Sequence, residues 1–258
     1  MIPLRKGVLL ELRDVEVGFS GDVVLRGVNM QVFAGDTIVI IGPSGGGKSV
    51  LLKTMAGVYA PNKGEVLYLG RPWQGISSDE RHDLARTIGV QFQKSALFDS
   101  LSVFENVAFP LREHTTMSEN EIEERVMECL VAVDLAKARN LATFELSGGM
   151  QQRAGIARAI ALHPSILFLD DPTAGLDPVN SDSMAELILD LKKQREMTLI
   201  VTTHDMQRAY QFAGRIFLVF NKEVLETGSK LETQNNPDPR VQQFIHGWQH
   251  GPMTDELT

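Results

Sequence analysis

Gly42-Pro43-Ser44-Gly45-Gly46-Gly47-Lys48-Ser49 fits the spacing G-x-x-x-x-G-K-[ST]. Before it stands Thr37-Ile38-Val39-Ile40-Ile41, apolar and largely β-branched with no polar alternation, the pattern of a parallel strand buried on both faces. After it, Val50-Leu51-Leu52-Lys53-Thr54-Met55-Ala56 reads as a helix closed by Gly57. A strand, a glycine loop and a helix in that order make an anion cradle. Glycine lets successive backbone N–H groups turn inward, and the helix N-terminus adds positive potential. Gly42, Ser44, Gly45, Gly46, Gly47 and Val50 are therefore read as lining a phosphate chain, Lys48 as reaching its β- and γ-phosphates, and Ser49 as a ligand of Mg²⁺.

The chain around this loop has 258 residues, enough for one large domain or one domain with an inserted lobe. A formal charge of −8 argues against a general nucleic-acid binder, which carries a basic face. The single cysteine, Cys129, excludes an internal disulfide and falls within an amphipathic helix as a core residue; a reducing cytoplasm is the default compartment. No apolar run approaches the roughly 18 residues of a spanning helix. Residues 1–10 carry charges without a long apolar stretch, so they are not read as a signal peptide. The expectation is a protein soluble on its own, whose membrane role, if any, comes through a partner.

Residues 8–34 alternate apolar and polar side chains, with Gly21-Asp22 as a turn signal, and so read as an antiparallel sheet. Phe19 precedes that turn; it either stacks on a nucleotide base or covers a strand edge, and spacing allows both. A turn at 61–64 leads into a strand at 65–69, residues 81–86 read as helical, and 88–92 read as a strand ending at Gln93. From 94 to 145 strand signals stop. Ser118-Glu119-Asn120-Glu121 is a capping box, and Ile122, Val126, Leu130 and Val133 recur on one helical face. Leu146-Ser147-Gly148-Gly149-Met150 then leads into a helix over 151–162. Ile166-Leu167-Phe168-Leu169 is a second buried strand, delivering Asp170 and Asp171. Met184, Leu187, Ile188 and Leu191 mark another amphipathic helix, residues 198–202 form a third buried strand followed by His204, and 216–220 with 223–226 read as a hairpin. Residues from about 251 onward read as a frayed tail.

Gly42, Gln93, Asp170 and His204 each follow a strand, and the C-terminal edge of a parallel sheet is where ligands bind. They are expected to meet at one phosphate site. Asp170 would hold Mg²⁺ as the acidic partner of Ser49. Asp171 would orient or polarise the attacking water, His204 would contact that water and the γ-phosphate, and Gln93 would sense the γ-phosphate through Mg²⁺ or water. Ser147-Gly148-Gly149 opens a helix with no strand before it and forms a second anion site. Simple P-loop kinases lack that second element.

With those motifs in hand the sequence resembles an ABC transporter ATPase subunit over nearly the whole chain. The resemblance rests on the phosphate loop, Gln93, the signature Leu146-Ser147-Gly148-Gly149, Asp170 at the Walker B position, Ala174-Gly175-Leu176-Asp177 as the D-loop, and the switch His204. It implies an α/β fold: a P-loop NTPase (RecA-like) core with an N-terminal antiparallel β subdomain and an inserted α-helical signature subdomain. The implied domain runs over 8–247, with 8–93 and 163–247 forming core and β subdomain, 94–162 the helical subdomain, and 248–258 a tail. It also implies ATP and Mg²⁺, and a head-to-tail dimer with a second copy of the chain. In that dimer Ser147 and Gly149 serve the partner's nucleotide and Asp177 lies at the contact. Within the family the chain is similar to Mla/Mce-type ATPases that drive lipid trafficking between Gram-negative membranes. Lys48-Ser49-Val50-Leu51-Leu52-Lys53, Met150 and residues 238–247 carry that similarity. The implied setting is the cytoplasmic face of the inner membrane, docked on an integral-membrane permease with further lipid-transport subunits, phospholipid as cargo and no nucleic acid.

One position departs from the family pattern, which has glutamate where this chain has Asp171. Aspartate is one methylene shorter, a loss of reach of roughly 1 to 1.5 Å, and a misplacement of about 1 Å can cost on the order of a hundredfold in rate. Hydrolysis is expected to be retained but slow. Three other readings stand beside transport of lipid: an ATP-gated regulatory or structural dimer with little turnover, an importer or exporter ATPase for another substrate, and a soluble ABC protein acting on nucleic acid, against which the acidic balance and single cassette argue.

Overall fold

The computed structural model describes residues 7–93, 96–212 and 214–255. Residues 1–6, on which much of the signal-peptide reading falls, and Lys94, read as the start of the helical lobe, lie outside them. The chain divides into two compact units, one taking in 7–77 and 200–255, the other Ser78–Leu199.

The first unit begins with β1 (Val8–Phe19) and β2 (Asp22–Phe33), the antiparallel pair the alternation predicts. Leu10, Leu12, Val15 and Val17 of β1 and Leu25, Val28, Met30 and Val32 of β2 are buried. Leu12 and Val15 are three apart yet share the buried face, because Asp14 (φ 47°) sits at a register shift that resets the alternation. Next come β3 (Thr37–Ile41), α1 (Lys48–Met55), β4 (Lys63–Tyr68) and β5 (Arg71–Pro72). One sheet runs in the order β2-β1-β4-β5. β4 starts earlier than residue 65, because Lys63 still pairs with Glu16 of β1.

In the second unit the elements are α2 (Ser78–Ala85), β6 (Ile88–Gln91), α3 (Val103–His114), α4 (Glu119–Ala132), α5 (Gly148–Ala159), β7 (Ile166–Asp170) and α6 (Pro178–Arg195). β6 and β7 are parallel, with Ile88 opposite Ile166 and Gln91 opposite Leu169. The Ser118/Glu121 capping box forms, and Ile122, Val126, Cys129, Leu130 and Val133 are all buried. Burial pushes the Cys129 thiol up to about 11, as befits an inert core residue. β8 (Thr198–Thr202) starts here, where the Thr198 N–H donates to the Ser165 carbonyl at 2.9 Å.

The rest of β8 returns the chain to the first unit and lies beside β3, with the Thr203 N–H donating to the Ile40 carbonyl at 3.0 Å. α7 (Met206–Phe212) follows, then β9 (Arg215–Phe220), parallel to β3, and β10 (Glu223–Gly228), antiparallel to β9. The β9–β10 turn has both central residues, Asn221 (φ 47°) and Lys222 (φ 70°), in the left-handed region, the backbone of a tight hairpin.

α8 (Lys230–Gln234), α9 (Pro239–His246) and α10 (Pro252–Asp255) end the described chain; α10 departs from the reading of a frayed tail from about 251, and residues 256–258 of that tail lie outside the described residues. Gln243 of α9 is buried; its Oε1 accepts from the Met253 N–H at 2.7 Å, and its Nε2 donates to the Trp248 carbonyl at 3.2 Å and to Thr254 Oγ1 at 3.1 Å. Met253 is buried, and the Trp248 ring stacks on His246 at 5.0 Å. No helix among the described residues is long and apolar enough to cross a membrane.

Candidate active site

The phosphate loop joins β3 to α1 in the first unit. Gly42 has φ 147°, and a Cβ there would stand 2.3 Å from the Val219 carbonyl oxygen of β9, so only glycine lets the loop leave β3 this close to its neighbour. Gly45 (φ 76°) and Gly47 (φ 104°) hold the following turn, closed by the Gly46 N–H on the Pro43 carbonyl at 3.1 Å. Gly47 is also the N-cap of α1 and brings no side chain to the cap, so the helix end faces the loop with backbone alone. Lys48 is buried, and its Nζ donates to the carbonyls of Gly42 (2.8 Å) and Pro43 (2.9 Å), which hold the ammonium over the loop. Ser44 and Gly45 are exposed, while Ser49 and Val50 are half-buried in the first turn of α1.

Two further residues flank this loop. Val24 and Leu25, at the start of β2, pack against Gly47, which brings the tip of the β1–β2 hairpin beside the loop. Phe19 stands on that tip, 45% exposed, in a T-shaped pair with Tyr59, ring centroids 5.1 Å apart. A half-exposed aromatic ring there offers surface of the kind a planar base stacks on. Tyr59 was not legible as part of the site, although an aromatic just after the loop's helix was the available signal. His204 is exposed just past β8, where Thr203 ties the end of β8 to β3, so Gly42 and His204 follow neighbouring strand ends as expected.

The second unit carries the carboxylates. Asp170 closes β7 at the end of a fully buried strand and is itself buried. Asp171 is buried and takes the left-handed conformation (φ 48°), one of the few non-glycine types that tolerate it, and its carbonyl accepts the Ala174 N–H at 3.0 Å. The register that sets Gln91 opposite Leu169 places Gln93 just past the end of β6 and Asp170 at the end of the adjacent β7, which runs one residue further than the sequence reading of 166–169. Gln93 is exposed, whereas Gln91 is fully buried. Gln91 escaped the sequence reading, although a glutamine in an otherwise apolar strand was its signal.

Ser147 caps α5 through its Oγ, which accepts the Met150 N–H at 3.3 Å, leaving the hydroxyl hydrogen to donate elsewhere. Gly148 and Gly149 form the first turn, and Gly149 lies against Leu176. A recess of about 300 Å³ opens here, lined by Ser147, Gly148, Gly149, Arg153, Asp177 and Asn180 among others. Asp177 caps α6: its Oδ1 accepts the N–H groups of Val179 and Asn180, each at 3.0 Å. Those bonds, the one from Asn180 foremost, hold its carboxyl below the ordinary value of 3.8.

Such an arrangement binds polyphosphate with backbone and lysine. No cluster of three or more His, Cys, Asp or Glu side chains among the described residues makes a self-contained metal site.

Residues 25–174 match the family model for ABC transporters. The chain is 37% identical over 245 residues to the intermembrane phospholipid transport system ATP-binding protein MlaF of Escherichia coli K12, covering 95% of this chain and 91% of that one. It is 36% identical over 247 residues to the probable ribonucleotide transport ATP-binding protein mkl of Mycobacterium leprae, covering 96% and 71%. Among solved structures it resembles the ATP-binding cassette MJ0796, described as a dimeric post-hydrolysis state bound to ADP and Pi, with a TM-score of 0.78, 33% identity and coverage of 85% and 98%. It also resembles cbiO1 of Clostridium perfringens, part of the cbiONQ transporter complex, with a TM-score of 0.78, 28% identity and coverage of 94% and 100%. The glycine loop, strand-end carboxylates and Ser147-capped helix thus stand on a P-loop cassette fold shared with these proteins, and the chain belongs to the ABC transporter family as an ATP-hydrolysing subunit.

Proposed function

We propose that this chain energises the movement of phospholipid between bacterial membranes, working at the cytoplasmic face of the inner membrane through a separate integral-membrane permease. The observation that carries this reading is the likeness to MlaF along almost the entire chain, well beyond the residues that the family model matches. In this reading Lys48 and the backbone of 42–49 grip the β- and γ-phosphates, with Phe19 against the base. Ser49, Asp170 and Gln93 are the Mg²⁺ ligands, direct or through water, and the ion neutralises phosphate charge when bound. Asp171 orients the attacking water, with His204 beside the γ-phosphate. Ser147, Gly148 and Gly149 serve the nucleotide of a second copy in a head-to-tail dimer, a role supported by the dimeric state of MJ0796.

Reconstitution of the chain with its membrane complex in phospholipid vesicles tests the cargo. ATP-dependent extraction of a fluorescent phospholipid, absent in a Lys48→Ala variant, is the expected result; phospholipid-independent turnover stimulated by ribonucleotides would favour a different cargo, the reading that the likeness to mkl supports. A second reading rests on Asp171: an ATP-gated dimer with little turnover, in which binding rather than hydrolysis sets the state of the complex.

A further inference from the structure

The face of β6 that carries Gly89 and Gln91 lies against α5. At Gly89 the approach is so close that a Cβ would stand 2.3 Å from the Ala159 carbonyl oxygen. Two residues on, Gln91 is fully buried and meets Gln152, two helical turns before Ala159 on the same side of α5. Gln91 Nε2 donates to Gln152 Oε1 and to the Phe92 carbonyl at 2.9 Å, and Gln152 Nε2 donates to the Gln93 carbonyl at 3.0 Å. Two backbone carbonyls anchor this chain of amides, so both amide orientations are fixed: turning either one would set oxygen against oxygen. Six residues beyond Gln152 on α5, Arg158 Nη1 donates to the Ala96 carbonyl at 2.8 Å, and its guanidinium lies over the Phe98 ring at 5.7 Å.

Packing does not explain the pair. Gln91 Oε1 is buried with no hydrogen-bond partner among the described residues, which costs stability that an apolar side chain of similar size would not. What the amide does is hold the peptide from which the exposed Gln93 side chain extends, and tie it to the helix that opens at Ser147. We propose that Gln91 and Gln152 are positioning residues for Gln93. They fix its peptide against α5, so that contact between Gln93 and a γ-phosphate and the placement of the Ser147 end of α5 are set together. This rests on the role given to Gln93 under the proposed function.

Phosphate release by the purified chain, with kcat and KM for ATP, is measured for Gln91→Met, Gln152→Met, Gln93→Ala and the double variant Gln91→Met/Gln93→Ala, alongside melting temperature. Gln91→Met is expected to melt at or above the wild-type temperature while kcat falls about tenfold, the scale of a displacement well under an ångström, and to add nothing in the Gln93→Ala background. Gln152→Met, which removes the same link from the other side, is expected to lower kcat by the same factor. Wild-type kcat in Gln91→Met, with Gln93→Ala impaired, overturns the positioning role alone. An equal loss from Gln91→Met in the Gln93→Ala background overturns it too, because the amide would then act by another route. Wild-type kcat in Gln93→Ala removes the role of Gln93 and this proposal with it.

Discussion

At Gly42 the backbone leaves β3 with φ 147°, and a methyl group would fall 2.3 Å from the Val219 carbonyl oxygen. Gly42→Ala must therefore displace either the loop or β9. Strain of about 1–3 kcal/mol is the usual scale for such positions, and ATP affinity is expected to fall about tenfold or more, read by titration with a fluorescent ATP analogue. Gly45→Ala, where φ is 76° but an added Cβ would meet no atom within 4 Å, is expected to lose less. Residues of this kind were legible in the sequence because their chemistry is local: the glycines, Lys48 and Ser49 act through spacing along one loop. Tyr59 and Gln152 were not, because what they do depends on partners brought up by folding, Phe19 in one case and Gln91 in the other.

Among the elements, α6 depends on its cap. Asp177→Ala is expected to lower the melting temperature, whereas Asp177→Asn keeps an N-cap of equal rank and stays near wild type. The folded carboxyl lies below its ordinary value of 3.8, so its stabilisation is complete above that value and is lost as pH falls through the folded pKa. Acid melting curves of wild type and Asp177→Ala should differ at neutral pH and draw together only as pH falls below 3.8. In the β9–β10 turn Lys222 holds φ 70° at a cost glycine avoids, and Lys222→Gly is expected to stabilise the chain by about 0.5–1 kcal/mol in urea unfolding. The hairpins and the capped α4 were legible because alternation and capping boxes are written in adjacent residues. α3 does not stand out as a separate helix in the sequence, since Pro110 lies inside it and breaks the pattern a helix reading relies on. α10 has 4 residues, too few for a helical pattern, and is held by hydrogen bonds with Gln243, whereas the 5-residue α8 carries a Ser229/Glu232 capping box that the sequence reading passed over.

For the molecule as a whole, the sequence conveyed a P-loop core and a helical insertion, because each buried strand delivers a polar group at its C-terminal end. It did not convey the C-terminal docking. Gln243→Leu removes the acceptor of the Met253 N–H, and hydrogen exchange over 249–255 is expected to rise severalfold while protection of β3 and β9 is unchanged. Unchanged exchange there would mean that the end of the chain is held by Met253 burial alone. In the proposed reaction Asp171 is the carboxylate that orients water, and its short side chain makes hydrolysis slow. Steady-state phosphate release by the purified chain, for wild type, Asp171→Glu and Asp171→Asn, tests it most directly. The account predicts a measurable wild-type rate, a higher one with glutamate, and a loss of about a hundredfold or more with asparagine; a rate that asparagine leaves unchanged would contradict it.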